Sequence, residues 1–486
     1  MPSSFLRRFF SFPAMLIAAL AASPFFASLD IQAGGRVLRD PDIWWHMRNA
    51  ETLLATHHFI RADAYSFTTA GQHWIDPEWL AEIPYYLGFH FGAERGLFLV
   101  MLAAVELVVA GVLVLAWQRS GDIKAAFLAA WAAVLLAAIN FGPRTILFGW
   151  LCFIIELYLI QDFRRRPHLL CLLVPLFALW INLHGTWLIG LAFLGLFFVS
   201  GLTEFSWGAI QATRWTSRER NTLLAVAASS IAALFANPYG WRLVVYPFDL
   251  VFRQQLNVAV VDEWASVSFQ SFYGSVIFIV AAALFLFTLA NRRSWSLHEV
   301  LFTALAFYSG LSHKRFLFLT GLVVCPLLAV ELKGAVFAPY DPKEDKPVLS
   351  ALVMAGFLFF AVSHIPSTPV LHAAEAQFFP VRALPALQDS CANHRVFNRY
   401  SWGGYLIWNA RNIPVFIDSR TDIFEHHGIL ADDLAAENLH GSLQILDHYN
   451  IGCVLLAPGD GLTYLLRNTQ GWRVQYEDEL TTLLVR

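Results

Sequence analysis

Arg39-Asp40-Pro41-Asp42-Ile43-Trp44-Trp45-His46 sets two carboxylates one residue apart beside a run of aromatic rings. A carboxylate in such a setting takes a proton from an acceptor hydroxyl or amine, or holds a metal ion. Further along, Glu78, Arg144, Asn182 with His184, Asn237, Glu263, and His313-Lys314-Arg315 each flank an apolar run. Arg and Lys hold phosphate or pyrophosphate, Arg in bidentate fashion. The aromatic residues around the first acidic pair suit stacking on sugar faces. An acidic loop facing basic helix ends, at the depth of a lipid headgroup, points to transfer from a lipid-phosphate donor.

The elements that position these residues are membrane helices. The 486-residue chain is 57% hydrophobic and 14% charged, with a mean hydropathy of +0.53; soluble proteins carry roughly a quarter charged residues. A formal charge of −3 excludes nucleic acid as a partner, because phosphate neutralisation needs a basic surface. A span needs about 20 largely apolar residues. Candidates run near 9–29, 96–117, 125–140, 145–161, 169–181, 186–202, 222–236, 272–290, 298–312, 316–332 and 348–364, about eleven in all. Arg7-Arg8, Arg119/Lys124, Arg164-Arg165-Arg166, Arg214/Arg218/Arg220, Arg292-Arg293 and Lys333/Lys343/Lys346 mark connections that face the cytoplasm. Two spans separate each successive pair of basic connections, the parity required if all share one side. The N-terminal apolar run reads as a retained signal anchor rather than a cleaved signal peptide. On this topology the acidic pair and every other chemistry-bearing residue named above lies at the outer face. Ionisable groups at membrane depth are costly and are functional candidates by default.

Three outer regions follow. In the first loop, 30–94, Asp42 is placed to cap a helix from Ile43 to about Ala55. Its stripe of Ile43, Met47, Ala50 and Leu54 suits an interfacial helix lying along the membrane, with Trp44-Trp45 at the headgroups. Residues 65–69 and 72–74 around Ala70-Gly71 suggest a hairpin. Asp76-Pro77-Glu78 begins a further helix, with Asp at the cap and Pro in the first turn. The loop 237–271 opens on the turn Asn237-Pro238-Tyr239-Gly240. Residues 365–486 read as an exported α/β unit: strands at 395–397, 415–418, 452–456, 472–476 and 481–485, with helices near 402–408 and 462–467. Such a unit is small for a large active site of its own. Cys391 and Cys453 can pair if that unit is outside the cytoplasm. Cys152, Cys171 and Cys325 fall in apolar runs and read as packing residues.

The segment at 39–46, placed just after the first span, resembles the acidic first-loop motif of GT-C-type integral membrane glycosyltransferases, which use polyprenyl-phosphate sugars. Trp180-Ile181-Asn182-Leu183-His184-Gly185, Asn237-Pro238-Tyr239-Gly240 and Glu263-Trp264 resemble recurring elements of a bacterial multi-span family of this architecture. Phe397-Asn398, Trp402-Gly403-Gly404-Tyr405 and Phe416-Ile417-Asp418-Ser419-Arg420-Thr421-Asp422 resemble its exported C-terminal domain. The resemblance implies a transmembrane domain over 1–364 with a GT-C fold, an extracytoplasmic domain over 365–486, and residence in the bacterial inner membrane with a cytoplasmic N-terminus. It further implies sugar transfer from a polyprenyl-phosphate lipid donor to a glycan, lipid or protein acceptor. Asp40 or Asp42 would be the base. In the family the acidic pair is often adjacent; here Pro41 intervenes, and because the cap reading claims Asp42 for structure, Asp40 ranks first. Glu78, Arg144, His184, Glu263, His313 and Arg315 are the candidate substrate-binding residues. No metal site is assigned, although a divalent metal is a candidate cofactor and His46 with Asp42 would supply two ligands.

Structural roles compete for the same residues. Glu78 fits the first turn of a helix, where the dipole favours a carboxylate. Asn182 and His184 suit the exposed backbone of a tight turn, and Asn237 to Gly240 is a turn signature. Arg144 and Arg315 can snorkel to headgroups. Asp418, Arg420 and Asp422 suit a local ion-pair cluster, and Gly403-Gly404 suits either close packing or an anion at a helix start. A non-catalytic subunit of envelope polysaccharide assembly is the alternative function. A lipid or glycan transporter is disfavoured by the absence of matched Gly/Pro-broken spans.

Overall fold

Helices occupy each of the predicted apolar segments in the computed structural model, which describes residues 8–27, 38–336 and 338–486. Arg7, the last part of the N-terminal span and the 30–37 stretch of the first loop lie outside the described residues. Among the described residues, four helices are long and apolar enough to cross a membrane: Trp79–Ser120, Ile123–Asn140, Phe272–Asn291 and Lys314–Leu332. Counting Pro347–Ser363 and Thr368–Phe378 as one bent span, at 54°, makes five. Shorter apolar helices cover Phe12–Ala21, Ile146–Gln161, Pro167–Leu183 and Trp187–Ser200.

Local chemistry sets where these helices start. The Asp122 carboxylate accepts the Ala125 N–H, and Thr216 with Glu219 and Ser296 with Glu299 form capping boxes. At one end of the bundle Arg119 and Arg293 converge on Glu299, and Arg293 also reaches Glu331 at 3.2 Å. Asp40, Glu78, Arg144, His184, Glu263 and Arg315 gather at the opposite end. The Trp79–Ser120 helix is two helices folded at Ala93, where φ is +50° and ψ is −145°. The fold-back is so tight that a Cβ on Gly96 would stand 1.9 Å from the Gly88 carbonyl oxygen.

The first loop departs from its sequence reading in four ways. The helix spans Asp42–Thr56, its cap residue is Pro41, and the Asp40 carboxylate rather than Asp42 satisfies an end N–H, that of Asp42, at 2.9 Å. Nor does this helix lie on lipid. Ile43, Trp44, Trp45 and Met47 are buried, and Trp44 packs edge-on against Phe89, Phe379 and Tyr405. Chain pairing joins Ala62 to His73, whereas Ser66 pairs in parallel with Val415, so 65–69 is not a hairpin arm. Finally, the helix after Pro77 begins at Trp79, and Asp76 accepts the Glu78 N–H at 3.3 Å.

Residues after Ser363 build a four-stranded sheet in the order Arg395–Asn398, Ile451–Leu456, Thr482–Val485, Arg473–Glu477, the first pair parallel and the rest antiparallel. The predicted strand at 415–418 is reduced to single bridges at Val415, which touches both Val396 and Ser66. A disulfide joins Cys391 to Cys453. Cys152 and Cys325 are buried as packing residues, but Cys171 is exposed. Helices Thr421–His426, Ile429–Glu437 and Ser442–His448, unforeseen in the sequence, close one side.

This unit is bound to the first loop by charge. Arg420 donates to Asp418 through Nε at 2.8 Å and Nη2 at 2.6 Å, and its Nη1 meets Asp63 of the first loop at 2.7 Å. All three side chains are fully buried, and Tyr65 and Trp74 of the first loop and Phe424 flank the guanidinium. A cluster local to 418–422 was expected; Asp63 makes it a tertiary one, and Asp422 instead accepts the Trp74 indole N–H at 3.1 Å. Removing one member of a buried set leaves an uncompensated charge. Arg420→Ala is therefore expected to destabilise the fold by about 3–5 kcal/mol, measured by thermal unfolding with the disulfide intact. A change below about 0.5 kcal/mol, the range of ordinary surface substitutions, would contradict the clamp.

Candidate functional site

A cavity of about 790 Å³ opens between the first loop, the helix ends and the C-terminal unit. Asp42, Glu78, Arg144, His184, Glu263 and Arg315 line it, six of the eight residues selected from sequence. Asp40 and His313 are not among its lining residues. Asp40 is turned away: one carboxylate oxygen accepts from Arg144 Nε at 2.5 Å and the other from the Asp42 N–H. His313 Nδ1 meets the Trp264 carbonyl at 2.7 Å and steadies the short turn Asp262–Trp264.

Arg144 follows the turn that ends the Ala138–Asn140 segment, and it ties three parts of the chain together. Besides Asp40 it pairs with Glu263 and donates to the Asn140 side chain at 3.3 Å. Its charge is thus spent on carboxylates. Arg315 has no carboxylate partner within ion-pair distance among the described residues; its guanidinium lies 4.3 Å from the Trp264 ring centre and lines the cavity. Arg399, also cavity-lining and without a carboxylate partner among the described residues, rests over Trp402.

Glu78 links two helix ends. It accepts from the Thr145 hydroxyl, and its other oxygen lies 3.2 Å from His184 Nε2. The Thr186 N–H donates to His184 Nδ1 at 3.1 Å, which places the ring proton on Nε2, facing Glu78. Asn182 is structural: it donates to the carbonyls of Ala178 and Ala236 and accepts from the Trp79 indole. Asn237 likewise holds its turn, donating to Leu234 and Gly240 and accepting from the Tyr239 N–H, with Gly240 at φ +62°.

Asp42 stands in the first turn of its helix, facing the cavity. Burial and then the charge of Asp40 push its carboxyl up to about 8, against the opposing effects of the Ser419 hydroxyl and Arg144. His46, one turn on, is neutral: burial and then Arg144 push its imidazole down to about 3. Its ring nitrogens are taken by Glu82 at 2.5 Å and Glu78 at 3.7 Å, so it is not set beside Asp42 as a second metal ligand. Ser419 accepts the Trp45 indole N–H at 3.0 Å and so fixes the wall above Asp42.

The paired glycines serve close packing. A Cβ on Gly403 would meet the Ile417 carbonyl oxygen at 2.1 Å, and one on Gly404 would meet that of Pro41 at 2.3 Å. The Gly403–Asn409 helix therefore presses directly on the peptide between the two aspartates.

Sequence reasoning missed the C-terminal contribution. Arg399, Ser419, Asp422, Asp433 and Glu437 line the cavity together with Tyr246 of the second loop. Burial pushes Asp422 up to about 6, and it raises Asp433 well above the usual carboxylate range. Ser419 and Asp422 lie in a motif already singled out, and Arg399 adjoins another. Asp433 and Glu437 carry no motif; they share a face at helical spacing on a helix that was not foreseen. The second loop supplies an apolar wall. Its Trp241–Arg253 helix exposes Trp241, Phe248 and Phe252 while Pro247, Leu250 and Val251 line the cavity.

No family model matches the chain, and no curated protein matches it in sequence. Among solved structures it is similar to the oligosaccharyltransferase of Archaeoglobus fulgidus tethered to an acceptor peptide, at a TM-score of 0.57 and 11% identity over 91% of this chain and 68% of that one. It is also similar to ArnT from Cupriavidus metallidurans bound to undecaprenyl phosphate, at a TM-score of 0.51 and 15% identity over 97% of both chains. The apo form of that ArnT matches at 0.51 and 13%, covering 94% of this chain and 96% of that one. At this level of identity the likeness is one of fold, and over nine-tenths or more of its length the chain shares the fold of these two proteins.

Proposed function

We propose that the chain transfers a sugar from a polyprenyl-phosphate-linked donor to an envelope acceptor at the outer face of the bacterial inner membrane. The observation that carries this reading is one cavity holding a carboxyl, Asp42, together with an arginine, Arg315, that makes no ion-pair contact with a carboxylate among the described residues. Phosphate recognition needs such an unspent guanidinium. The apolar wall on the Trp241–Arg253 helix offers a path for a prenyl tail from the bilayer. An eleven-span topology with residues 365–486 exported agrees with the Cys391–Cys453 bridge, since disulfides persist in oxidising compartments.

In this reading Asp42 rather than Asp40 is the base. The acceptor hydroxyl or amine attacks the anomeric carbon while its proton passes to the Asp42 carboxylate. The bond from that carbon to the phosphate oxygen breaks, and its electron pair leaves with polyprenyl phosphate, whose charge Arg315 and Arg399 receive. Direct displacement inverts the anomeric centre. Asp40, paired with Arg144, is a positioning residue that holds Asp42 and raises its basicity through its own charge. Glu78 and His184 orient the acceptor, and Asp422, Asp433 and Glu437 face it from the C-terminal unit. A divalent metal remains a candidate aid to phosphate departure.

Transfer is tested with the purified protein in vesicles containing undecaprenyl-phosphate-linked sugars and envelope lipid acceptors. Loss of a general base lowers rates by about 10²–10⁴, so Asp42→Asn is expected to fall in that range, with Arg315→Ala losing co-purified polyprenyl phosphate by native mass spectrometry. Full transfer by Asp42→Asn would overturn the mechanism. Binding of donor by wild type without transfer to any acceptor would favour an accessory role.

The state of Asp42 gives a pH signature. With its carboxyl raised from 3.8 to about 8, the base is mostly protonated at pH 6, so transfer should rise by about tenfold per pH unit and level off above that value. Stability runs the other way. Between pH 4 and 8 the folded state holds a proton that the unfolded chain has lost, so unfolding becomes easier as pH rises through this window. Asp42→Asn should remove this component of the stability profile. An unchanged difference between the two unfolding profiles over that window would refute the assignment.

A further inference from the structure

Away from the cavity, the fold-back at Ala93 poses a separate question. A residue with a side chain rarely adopts φ +50° with ψ −145°, and such strain persists only where the surroundings impose it. The next residue, Glu94, is buried to 6% exposure at the corner of the fold-back. One of its carboxylate oxygens, Oε2, is buried with no hydrogen-bond partner among the described residues. The other lies 3.6 Å from Nδ1 of His372, on the Thr368–Phe378 helix. Glu375, one turn further along that helix and also buried, places an oxygen 3.6 Å from the same nitrogen. One ligand atom from each of the three residues lies within 4.8 Å of the other two.

We propose that Glu94, His372 and Glu375 bind a divalent first-row transition-metal ion. Two buried carboxylates directed at one point need a compensating charge, and an unpaired buried oxygen costs free energy unless something coordinates it. Ligands about 2.1 Å from a tetrahedral ion stand about 3.4 Å apart, close to the two 3.6 Å separations from His372. One imidazole with two carboxylates is a set for zinc-like ions rather than for the all-oxygen shells of calcium or magnesium. His372 is 59% exposed in its side chain, so the site opens to the protein surface, where an ion has a route to it. The carboxylate at the helix corner and the two ligands on the Thr368–Phe378 helix would be drawn together by the ion. That helix leads into Phe379, which stacks on Tyr405 and meets Trp44, so the ion would brace the aromatic cluster beneath the Asp42 helix. The assignment does not depend on sugar transfer.

The alternative is a protonated His372 bridging both carboxylates with no metal, and the full-length protein in detergent distinguishes the two. After chelation and desalting, zinc chloride alone is added, free ion is removed, and metal content is measured by mass spectrometry with thermal unfolding in parallel. Wild type is expected to keep one zinc per chain and to gain at least about 2 °C in unfolding midpoint. His372→Ala and Glu94→Gln should lose both effects. The exposed histidine makes His372→Ala the informative variant should Glu94→Gln not fold, with gel filtration reporting its integrity. Failure of wild type to retain zinc or to be stabilised by it would overturn the proposal. So would equal zinc retention by folded His372→Ala, which would place the ion elsewhere.

Discussion

The buried Asp63–Arg420–Asp418 set is the constraint on which the rest of the site depends. A guanidinium without access to water is tolerable only with two carboxylates and with good geometry, and those carboxylates come from different parts of the chain. The first loop and the C-terminal unit therefore cannot separate without exposing or orphaning charge. Once they are held, Gly404 lies against Pro41, Ser419 meets Trp45 and Trp74 meets Asp422. These contacts form the roof of the cavity. Neither part alone has a wall opposite Asp42.

The floor is made by charges from the helix ends, and their partition matters more than their number. Arg144 is consumed by Asp40 and Glu263, so it serves as a tie between the first loop and the turn at Asp262–Trp264. Arg315 lies on that same turn's tryptophan without an acidic partner among the described residues. A site built to hold an anion keeps some cations uncompensated, because a neutralised guanidinium has little left to offer a phosphate. The protein thus spends one arginine on architecture and leaves two others, Arg315 and Arg399, facing open space. Neutral His46, held by Glu82 and Glu78, and the oriented His184 line the floor without adding charge.

Much of this was legible in the sequence, for physical reasons specific to each element. The apolar segments declare themselves as helices because nearly every turn of each is apolar, and helices occupy all of them. The strands at Arg395–Asn398 and Ile451–Leu456 were legible through their β-branched and aromatic content. The Asp42–Thr56 helix was found but its surroundings were misread: an apolar stripe has the same periodicity whether it meets lipid or Phe379 and Tyr405. The 415–418 segment carries a strand composition, yet it is pinned between Val396 and Ser66 by single bridges, a tertiary outcome invisible to local pattern. Asp63, Glu94 and His372 had no motif at all. Arg420 is hundreds of residues from Asp63 in the chain, and so is His372 from Glu94, which lies at a fold-back that no apolar pattern encodes.

Pro41 explains why the two aspartates cannot share a role. Proline fixes its own φ near −65° and lacks an N–H; here it is the cap residue, at φ −69°. The first free N–H of the helix is then that of Asp42, and the carboxylate two residues back, Asp40, is the one within reach of it. Capping and the Arg144 pair together engage both Asp40 oxygens, and Asp40 is not among the residues that line the cavity. Asp42, in the first turn, faces the cavity with the Ser419 hydroxyl as its hydrogen-bond partner. Its raised carboxyl reflects burial first and the fixed negative charge of Asp40 second. An adjacent acidic pair would leave open which member caps and which reacts. With proline between them, helix geometry separates the two: Asp40 caps the helix and pairs with Arg144, and Asp42 faces the cavity.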